Sequence, residues 1–274
     1  MTKFILTIGC IVFPSTLLAE VIDIQVANNQ VSIQSISNNV DYTETGYGRL
    51  GTTIGTLDTE SGRVPGFSLA VSRMTDYWIE NGYFEAEYDY ANGRTKYIGS
   101  YQGGVYGDVV TTSGAVLSNY GIRYGKGFVI NNVLMLTPYA ELGHHKWDRG
   151  VNYGEIYDHD YYGIGGLLQY SPISPLVLTL NVLYGNTSAS KIEVISGGGS
   201  NGFSAGLGNS RLFKYGLAAD YELDKNIYGK VGIEVTNFKY GISAVYPIGG
   251  GWVAWEPDSS TRNTTIKFGI GRAF

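Results

Sequence analysis

Hydrophobic and polar residues alternate with a period of two through most of the chain. One stretch places Phe67, Leu69 and Val71 on one face and Ser68 and Ser72 on the other. Comparable alternation occurs in segments 84–90, 119–124, 134–142, 162–170, 176–185, 213–221, 230–235 and 265–270, and more weakly in 50–54. A period of two gives each segment one apolar and one polar face. The pattern therefore predicts ten β-strands.

The two faces differ in polarity as they do in membrane-embedded barrels. The apolar faces carry no charge, whereas the opposite faces hold Gly, Ser, Thr, Asn and a few charges of both signs. An apolar exterior and a polar lumen are typical of transmembrane barrels, and closure leaves no unpaired strand edge in lipid. We predict an all-β transmembrane antiparallel up-and-down barrel of about ten strands. Eight or twelve strands, or a soluble barrel or sandwich, are the alternatives.

The connections between these segments also follow the barrel pattern. Short links alternate with long ones, which are typical of periplasmic turns and external loops. Both termini are then expected at the periplasmic end. Pro138, inside one predicted strand, indicates a bulge or a shifted boundary because proline cannot donate to the ladder. Asn92-Gly93 is a hairpin signal that offers an alternative fold for the third segment.

Composition excludes several other classes of protein. The 274 residues include 39 Gly and 23 Tyr, and only 16% are charged. Few charges and many aromatic residues argue against disorder, and no apolar run reaches the ~18 residues of a membrane-spanning helix. The net charge of −5 disfavours nucleic acid as a partner, because phosphate binding needs a basic surface.

Residues 1–19 have the pattern of a secretory signal peptide. Lys3 supplies a positive charge, an apolar stretch follows, and Ala19 precedes the expected cleavage before Glu20. Cleavage removes Cys10, the one cysteine of the chain, so we expect no disulfide. Residues 20–45 alternate weakly and are predicted to be a periplasmic lead-in, with an extra hairpin as the alternative. Residues 46–274 are predicted to form the barrel domain.

The C-terminus resembles the insertion signal of bacterial outer-membrane barrels. Apolar residues alternate and end on a terminal aromatic residue, through Ile266, Phe268, Ile270 and Phe274. Arg272 stands where that family usually has an aromatic residue. Segment 136–143, followed by Trp147 and Arg149, resembles the small opacity-protein-like barrels. The resemblance implies the outer membrane of a Gram-negative bacterium, with outer-membrane lipid, lipopolysaccharide and the barrel assembly machinery as partners.

The three histidines flank one predicted external loop. His144, His145 and His159 lie near Glu141, Asp148, Asp158 and Asp160 in the sequence. Convergence of two or three imidazoles with a carboxylate would form a metal site, but adjacent strand residues face opposite sides, so His144 and His145 are expected to separate. Asp158-His159-Asp160 is similar in kind to the Asp–His couple of omptins, the ten-stranded outer-membrane proteases. A matching second aspartate pair is missing, so we assign no catalytic residue, metal ligand or cofactor.

Three carboxylates share the polar face of the third predicted strand. Glu85, Glu87 and Asp89 alternate with aromatic and small residues. Carboxylate pairs can perform acid–base chemistry. In a narrow barrel, ion pairs across the lumen are the simpler expectation, because side chains largely fill a lumen of this size. The expected partners are Arg123, Lys214, Lys230 and Lys267.

These patterns suggest three hypotheses for function. The first is a non-enzymatic surface barrel with an adhesive or envelope-structural role, because the long loops carry Trp147, Trp252 and Trp255, and aromatic residues are enriched at contact surfaces. The second is a porin-like small-solute channel. The third is a hydrolase at the external rim of the barrel.

Overall fold

The computed structural model describes residues 20–47, 53–100 and 104–274. Within these ranges the chain forms one short helix and fourteen strands. They are α1 (Val21–Ala27), β1 (Gln30–Tyr47), β2 (Thr53–Thr75), β3 (Gly82–Gly99), β4 (Val109–Lys126), β5 (Phe128–Asn131), β6 (Leu134–Arg149), β7 (Glu155–Ile173), β8 (Leu176–Val194), β9 (Phe203–Gly206), β10 (Arg211–Asp224), β11 (Ile227–Tyr240), β12 (Tyr246–Gly249), β13 (Trp252–Ala254) and β14 (Asp258–Ala273). No helix in the described ranges is long and apolar enough to cross a membrane.

Ten of these strands close into an antiparallel barrel. Each strand pairs with the next along the chain in the order β1-β2-β3-β4-β6-β7-β8-β10-β11-β14, and β14 returns to pair with β1. The closing ladder runs from Gln30↔Ala273 to Thr45↔Asp258. Closure pairs the backbone groups of both terminal strands, as a lipid environment requires. The predicted up-and-down barrel of about ten strands is therefore confirmed.

The apolar faces of the strands point outward. Phe67, Leu69 and Val71 of β2 are exposed, and so are most of the apolar residues at the corresponding positions of the other strands. We call this surface the apolar band; it includes Phe67, Leu69, Val71, Phe84, Tyr88, Tyr120, Ile122, Tyr124, Leu136, Leu142, Tyr162, Ile164, Leu168, Leu180, Tyr184, Phe213, Leu217, Val231, Ile233, Ile266, Phe268 and Ile270. Its residues lie in one half of each strand, on the side of the barrel end that holds Gln30 and Ala273. The other half of each long strand therefore projects beyond the membrane on the extracellular side.

Residues 20–45 fold differently from the sequence-based prediction. The lead-in prediction was wrong for most of this segment, because residues from Gln30 onward form β1, paired on both sides with β14 and β2. The barrel thus begins at Gln30 rather than at residue 46. The alternation of β1 is weak because Ile36, Val40 and Tyr42 face the interior and serines occupy part of the outward face. The predicted signal peptide, residues 1–19, lies outside the described residues.

Two irregular sites in the sequence have clear places in the ladder. Pro138 pairs with Gly166 on β7, but the β4–β6 ladder stops at Tyr139 and pairing resumes only between Phe128 of β5 and Leu136. The missing N–H of Pro138 thus falls at the break, as predicted. Asn92-Gly93 forms no turn: β3 continues through it, with Asn92 opposite Val116.

Side chains occupy the barrel interior in three layers. At the periplasmic end, α1 packs inside the barrel, with Ile24 and Ala27 buried against residues of several strands. A network of charged side chains crosses the middle. At the extracellular end lies an aromatic cluster, which we call the upper cluster; its members include Tyr42, Trp147, Tyr157, Phe238 and Tyr240. These layers position the candidate sites.

Candidate functional site

The middle of the barrel is crossed by a buried ion-pair network centred on Arg123. Its guanidinium lies 2.5 Å from Glu141 and 2.7 Å from Glu85, on strands that flank β4 on either side. Lys214 reaches Glu141 from β10 with a separation of 2.8 Å, and it also donates a hydrogen bond to the Tyr161 hydroxyl at 3.1 Å. Strands β3, β4, β6 and β10 are thus joined through their side chains.

A second group of ion pairs extends the network to β14. Lys267 lies 2.6 Å from Glu87 and 2.9 Å from Asp89. Lys230 pairs instead with Asp220 on the neighbouring strand. The predicted pairing of the β3 carboxylates with basic residues is therefore confirmed for Arg123 and Lys267, whereas Lys214 and Lys230 pair with other carboxylates.

Helix α1 is held in the periplasmic mouth by amide and carboxylate hydrogen bonds. Asn28 donates to Gln169 Oε1 at 2.8 Å, and Gln169 donates back to Asn28 Oδ1 at 2.9 Å. The hydroxyls of Ser171 and Ser174 donate to Asp23 at 3.2 and 2.9 Å. Glu20, the expected first residue after cleavage, is the N-cap of this helix.

The three histidines do not converge on one point. His145 and His159 face the interior, with their ring centroids 5.1 Å apart; His145 contacts Asn119 Oδ1 at 2.5 Å and His159 contacts the Tyr240 hydroxyl at 2.7 Å. His144 faces outward, 2.9 Å from Asp160. The described part of the chain contains no group of three or more His, Cys, Asp or Glu residues that could hold a metal ion.

Arg149 is the centre of the upper cluster. Its guanidinium lies 2.8 Å from Glu60, 2.9 Å from Glu155 and 3.7 Å from Asp58. The rings of Tyr42, Trp147 and Tyr157 surround it at 4.5 to 5.6 Å from their centroids. This arrangement neutralises part of the buried carboxylate charge and shields it from water on all sides.

Glu256 joins the upper cluster to the extracellular loops. The hydroxyl of Tyr42 donates to its carboxylate at 3.3 Å, and that of Tyr157 also donates to it. Burial and, secondly, the charge of Glu155 raise the pKa of Glu256 to about 8, against lowering effects from the Tyr157 hydrogen bond and Arg149. The backbone N–H of Glu256 donates to Ser243 Oγ at 2.8 Å. The loop before β14 is thus anchored to the interior of the barrel.

Above the upper cluster, three extracellular segments pack together; we call them the loop cluster. They are the β6–β7 turn (150–154), the β8–β9 segment (195–202) and the β12–β13 hairpin (246–254). The Ile195 N–H donates to Gly154 at 2.9 Å, and the Asn201 N–H donates to Ile248 at 2.9 Å. Tyr153 packs so closely on Gly197 that a Cβ there would lie 2.2 Å from its ring. The loop cluster is therefore an ordered surface.

The loop cluster exposes apolar side chains to solvent. Tyr153 is 69% exposed and Trp252 is 63% exposed. Ile195 and Val253 are also exposed, as are Val245 and Trp255, which flank the β12–β13 hairpin. Trp147, expected from the sequence to lie in an exposed loop with Trp252 and Trp255, is instead buried in the upper cluster. That expectation was wrong because β6 extends to Arg149 and turns Trp147 into the lumen.

Comparison with solved structures places this architecture among outer-membrane proteins. The outer membrane protease OmpT from Escherichia coli superposes with a TM-score of 0.60, at 9% identity over 89% of this chain and 95% of that chain. The NalP translocator domain from Neisseria meningitidis gives 0.42 (12% identity, 89% and 88% coverage), and Ail from Yersinia pestis gives 0.33 (12%, 90% and 99%). Neither a protein-family model nor a curated protein matches the chain.

The chain has the fold of a bacterial outer-membrane β-barrel. At 9% identity the likeness to OmpT shows the fold alone. In this outer-membrane barrel, Asp158 and Asp160 face outward, whereas His159 faces the interior and contacts Tyr240. The Asp158-His159-Asp160 sequence therefore forms no Asp–His couple around His159. The couple observed, His144 with Asp160, lies on the outer wall, where Tyr120 stacks on the imidazole.

The residues of the expected C-terminal insertion signal lie on the outer wall of this barrel. Ile266, Phe268, Ile270 and Phe274 are exposed, and Arg272 faces the same side near the periplasmic rim. This placement gives the long stem of Arg272 a route to the membrane interface. Recognition of these residues by the assembly machinery stays a prediction, as does cleavage between Ala19 and Glu20.

Proposed function

We propose that this outer-membrane barrel is a non-enzymatic surface protein that adheres to a partner through its loop cluster. The observation that carries the proposal is the set of exposed aromatic and aliphatic residues on extracellular segments that are already packed against one another. A rigid apolar surface loses little conformational entropy on binding, and Trp and Tyr supply most of the binding energy at many interfaces.

The occupied interior supports adhesion over solute transport. Arg123, Lys214 and Lys267 reach across the lumen to carboxylates on other strands, and α1 fills the periplasmic mouth. We expect residues 20–274, refolded into a planar bilayer, to give no single-channel steps. Discrete steps would favour the small-solute channel instead.

An adhesion assay with matched variants tests the proposal directly. Bacteria displaying the protein are applied to wells coated with collagen, fibronectin or laminin, and retained cells are counted. The variant Trp252→Ala/Val253→Ser alters the hairpin tip and should weaken retention about tenfold or more on at least one coating. The control Val105→Ser alters an equally exposed apolar residue on the β3–β4 connection and should have little effect.

Two results would contradict adhesion through the loop cluster. The first is retention no higher than that of cells without the protein on every coating. The second is equal retention by the wild type and the hairpin variant. Folding of all variants is compared by the shift in gel mobility between heated and unheated samples, so that a folding defect is not mistaken for lost adhesion.

A further inference from the structure

Three basic residues meet on the outer wall of the barrel, away from the loop cluster. Arg211, Lys239 and Arg262 lie on the adjacent strands β10, β11 and β14, and all face outward. Arg262 is opposite Asn237 in the ladder, and Lys239 is opposite Ser260. Side chains directly or diagonally opposite on paired strands have Cβ atoms about 5–8 Å apart. The three cationic groups can therefore reach one anion.

These cations have no ion-pair partner among the described residues. Asp41, opposite Arg262 on β1, is the one carboxylate lining the same groove, and it accepts a hydrogen bond from Asn39 at 3.0 Å. The groove therefore carries a net charge of +2. Like charges on neighbouring strands destabilise a sheet unless a counter-ion binds.

The groove also has the shape and the polar lining of a binding site. It is open to solvent, has a volume of about 610 Å³ and is lined by hydroxyl and amide groups in addition to the charges; these come from Thr43, Ser210, Asn237, Ser260 and Thr261. Hydroxyl and amide donors together with basic side chains are the groups that bind phosphate oxygens. The chemistry of the groove thus favours a phosphate over an uncharged apolar ligand.

The height of the groove on the wall indicates where the phosphate comes from. Phe213 of the apolar band also lines the groove and lies two residues along β10 from Arg211, about 7 Å at the usual strand rise. Ile266 lies four residues from Arg262, about 13 Å. Acyl chains that cover Phe213 and Ile266 would place their headgroups beside the three cations.

We propose that this groove is a binding site for the headgroup phosphate of a phosphorylated lipid in the outer leaflet. Arg211, Lys239 and Arg262 bind the phosphate oxygens, Ser260 and Asn237 donate further hydrogen bonds, and Phe213 contacts the acyl chains. The inference rests on the outer wall alone and is independent of the proposed adhesive role.

Native mass spectrometry of the refolded protein released from detergent micelles tests this site. Diphosphoryl lipid A is the probe, phosphatidylethanolamine is the zwitterionic comparison, and the test variant is Arg211→Gln/Lys239→Gln/Arg262→Gln. The matched control is Arg63→Gln/Arg94→Gln/Lys96→Gln, which removes three outward charges above the apolar band on β2 and β3. Loss of charge-assisted hydrogen bonds should weaken lipid A binding by about tenfold or more in the test variant, with a much smaller change in the control.

Three results would overturn the proposal. Unchanged lipid A binding by the test variant would remove the site. Equal weakening in both variants would mean that lipid A responds to overall charge rather than to this groove. Complete displacement of lipid A by millimolar inorganic phosphate would mean that the groove binds free phosphate rather than a lipid. The heated and unheated gel mobility of each variant confirms that it has folded.

Discussion

Replacing Arg149 by methionine should destabilise the barrel strongly. Met keeps much of the side-chain volume between the three aromatic rings but leaves Glu60, Glu155 and Asp58 without their shared cation. All three carboxylates are buried, and Glu60 and Glu155 lie within 3 Å of the guanidinium. Removing one partner of a buried ion pair costs about 3–5 kcal/mol, because the remaining charges lose their compensation while staying out of water.

A surface ion pair of the same barrel provides the control. Lys191 lies 3.3 Å from Asp158, but its side chain is more than half exposed. Exposed pairs contribute about 0–1 kcal/mol, so Lys191→Met should leave the free energy of unfolding nearly unchanged. Both variants remove one positive charge and introduce the same side chain, so the comparison isolates the effect of burial.

Urea unfolding of the protein in lipid vesicles, followed by tryptophan emission, measures the difference. With a urea m-value of about 2–3 kcal/mol per molar, the midpoint for Arg149→Met should fall by about 1–2.5 M relative to Lys191→Met. Adding Glu60→Gln to Arg149→Met should recover part of the loss, since one uncompensated charge is then removed. Equal midpoints for the two single variants would refute the reasoning that Arg149 balances the charge of the upper cluster.

Three further predictions follow from the described contacts. The pKa of Glu256 in the folded protein, about 8, lies above its ordinary value of 4.5. Between these pH values the folded state therefore binds more protons than the unfolded state. The contribution of Glu256 to stability is complete below pH 4.5 and is lost as the pH rises towards 8. A Trp78→Phe/Trp252→Phe background retains Trp255 and the buried Trp147. Acrylamide quenching of their emission should increase from pH 5 to 9 as Trp255 becomes more accessible, and a Glu256→Gln variant with the same profile would contradict this. Gly143→Ala should lower the free energy of unfolding by about 1–3 kcal/mol, because its Cβ would lie 2.3 Å from the Tyr161 ring. Gly114→Ala, which has open space around its Cβ, is the control. Equal urea midpoints for the two variants would show that Tyr161 moves freely. Ile24→Ala should cost about 2–4 kcal/mol of helix packing, since Ile24 is fully buried, and should expose 21–27 to protease added at the periplasmic face; unchanged cleavage would mean that α1 is not held by this contact.

The apolar band was predictable because every strand that crosses the membrane needs apolar side chains on its lipid-facing side. Phe67, Leu69 and Val71 have to face the acyl chains, and the period-two pattern reports that requirement directly. Beyond the membrane this requirement disappears, since the outward face of β2 at Ser61 and Arg63 contacts water. Sequence periodicity therefore missed residues 55–66, which join the end of the predicted segment 50–54 to the Phe67 stretch in one strand, and with them the inward position of Glu60.

The candidate sites were less predictable because they depend on contacts between distant strands. Glu60 and Arg149 are 89 residues apart in the chain, and neither has a local motif that indicates its partner. Trp147 was assigned to a loop because a polar run follows it, although that run continues β6. The ion pairs of Arg123 and Lys267 could be anticipated, since a narrow lumen leaves buried charges few alternatives, but which carboxylate each one contacts depends on the register.

The seam between β1 and β14 joins the first and the last strand of the barrel. Residues 30–45 pair with residues 258–273, so the last ladder joins the two ends of the chain and has the highest sequence separation in the barrel. Contacts of such separation form slowly. Until β14 arrives, β1 and β11 both present open edges, which are sites for unwanted pairing with other chains. A chain that lacks only its final strand is therefore a sheet with two unpaired edges. Pairing of β14, residues 258–273, with β1 and β11 closes both edges.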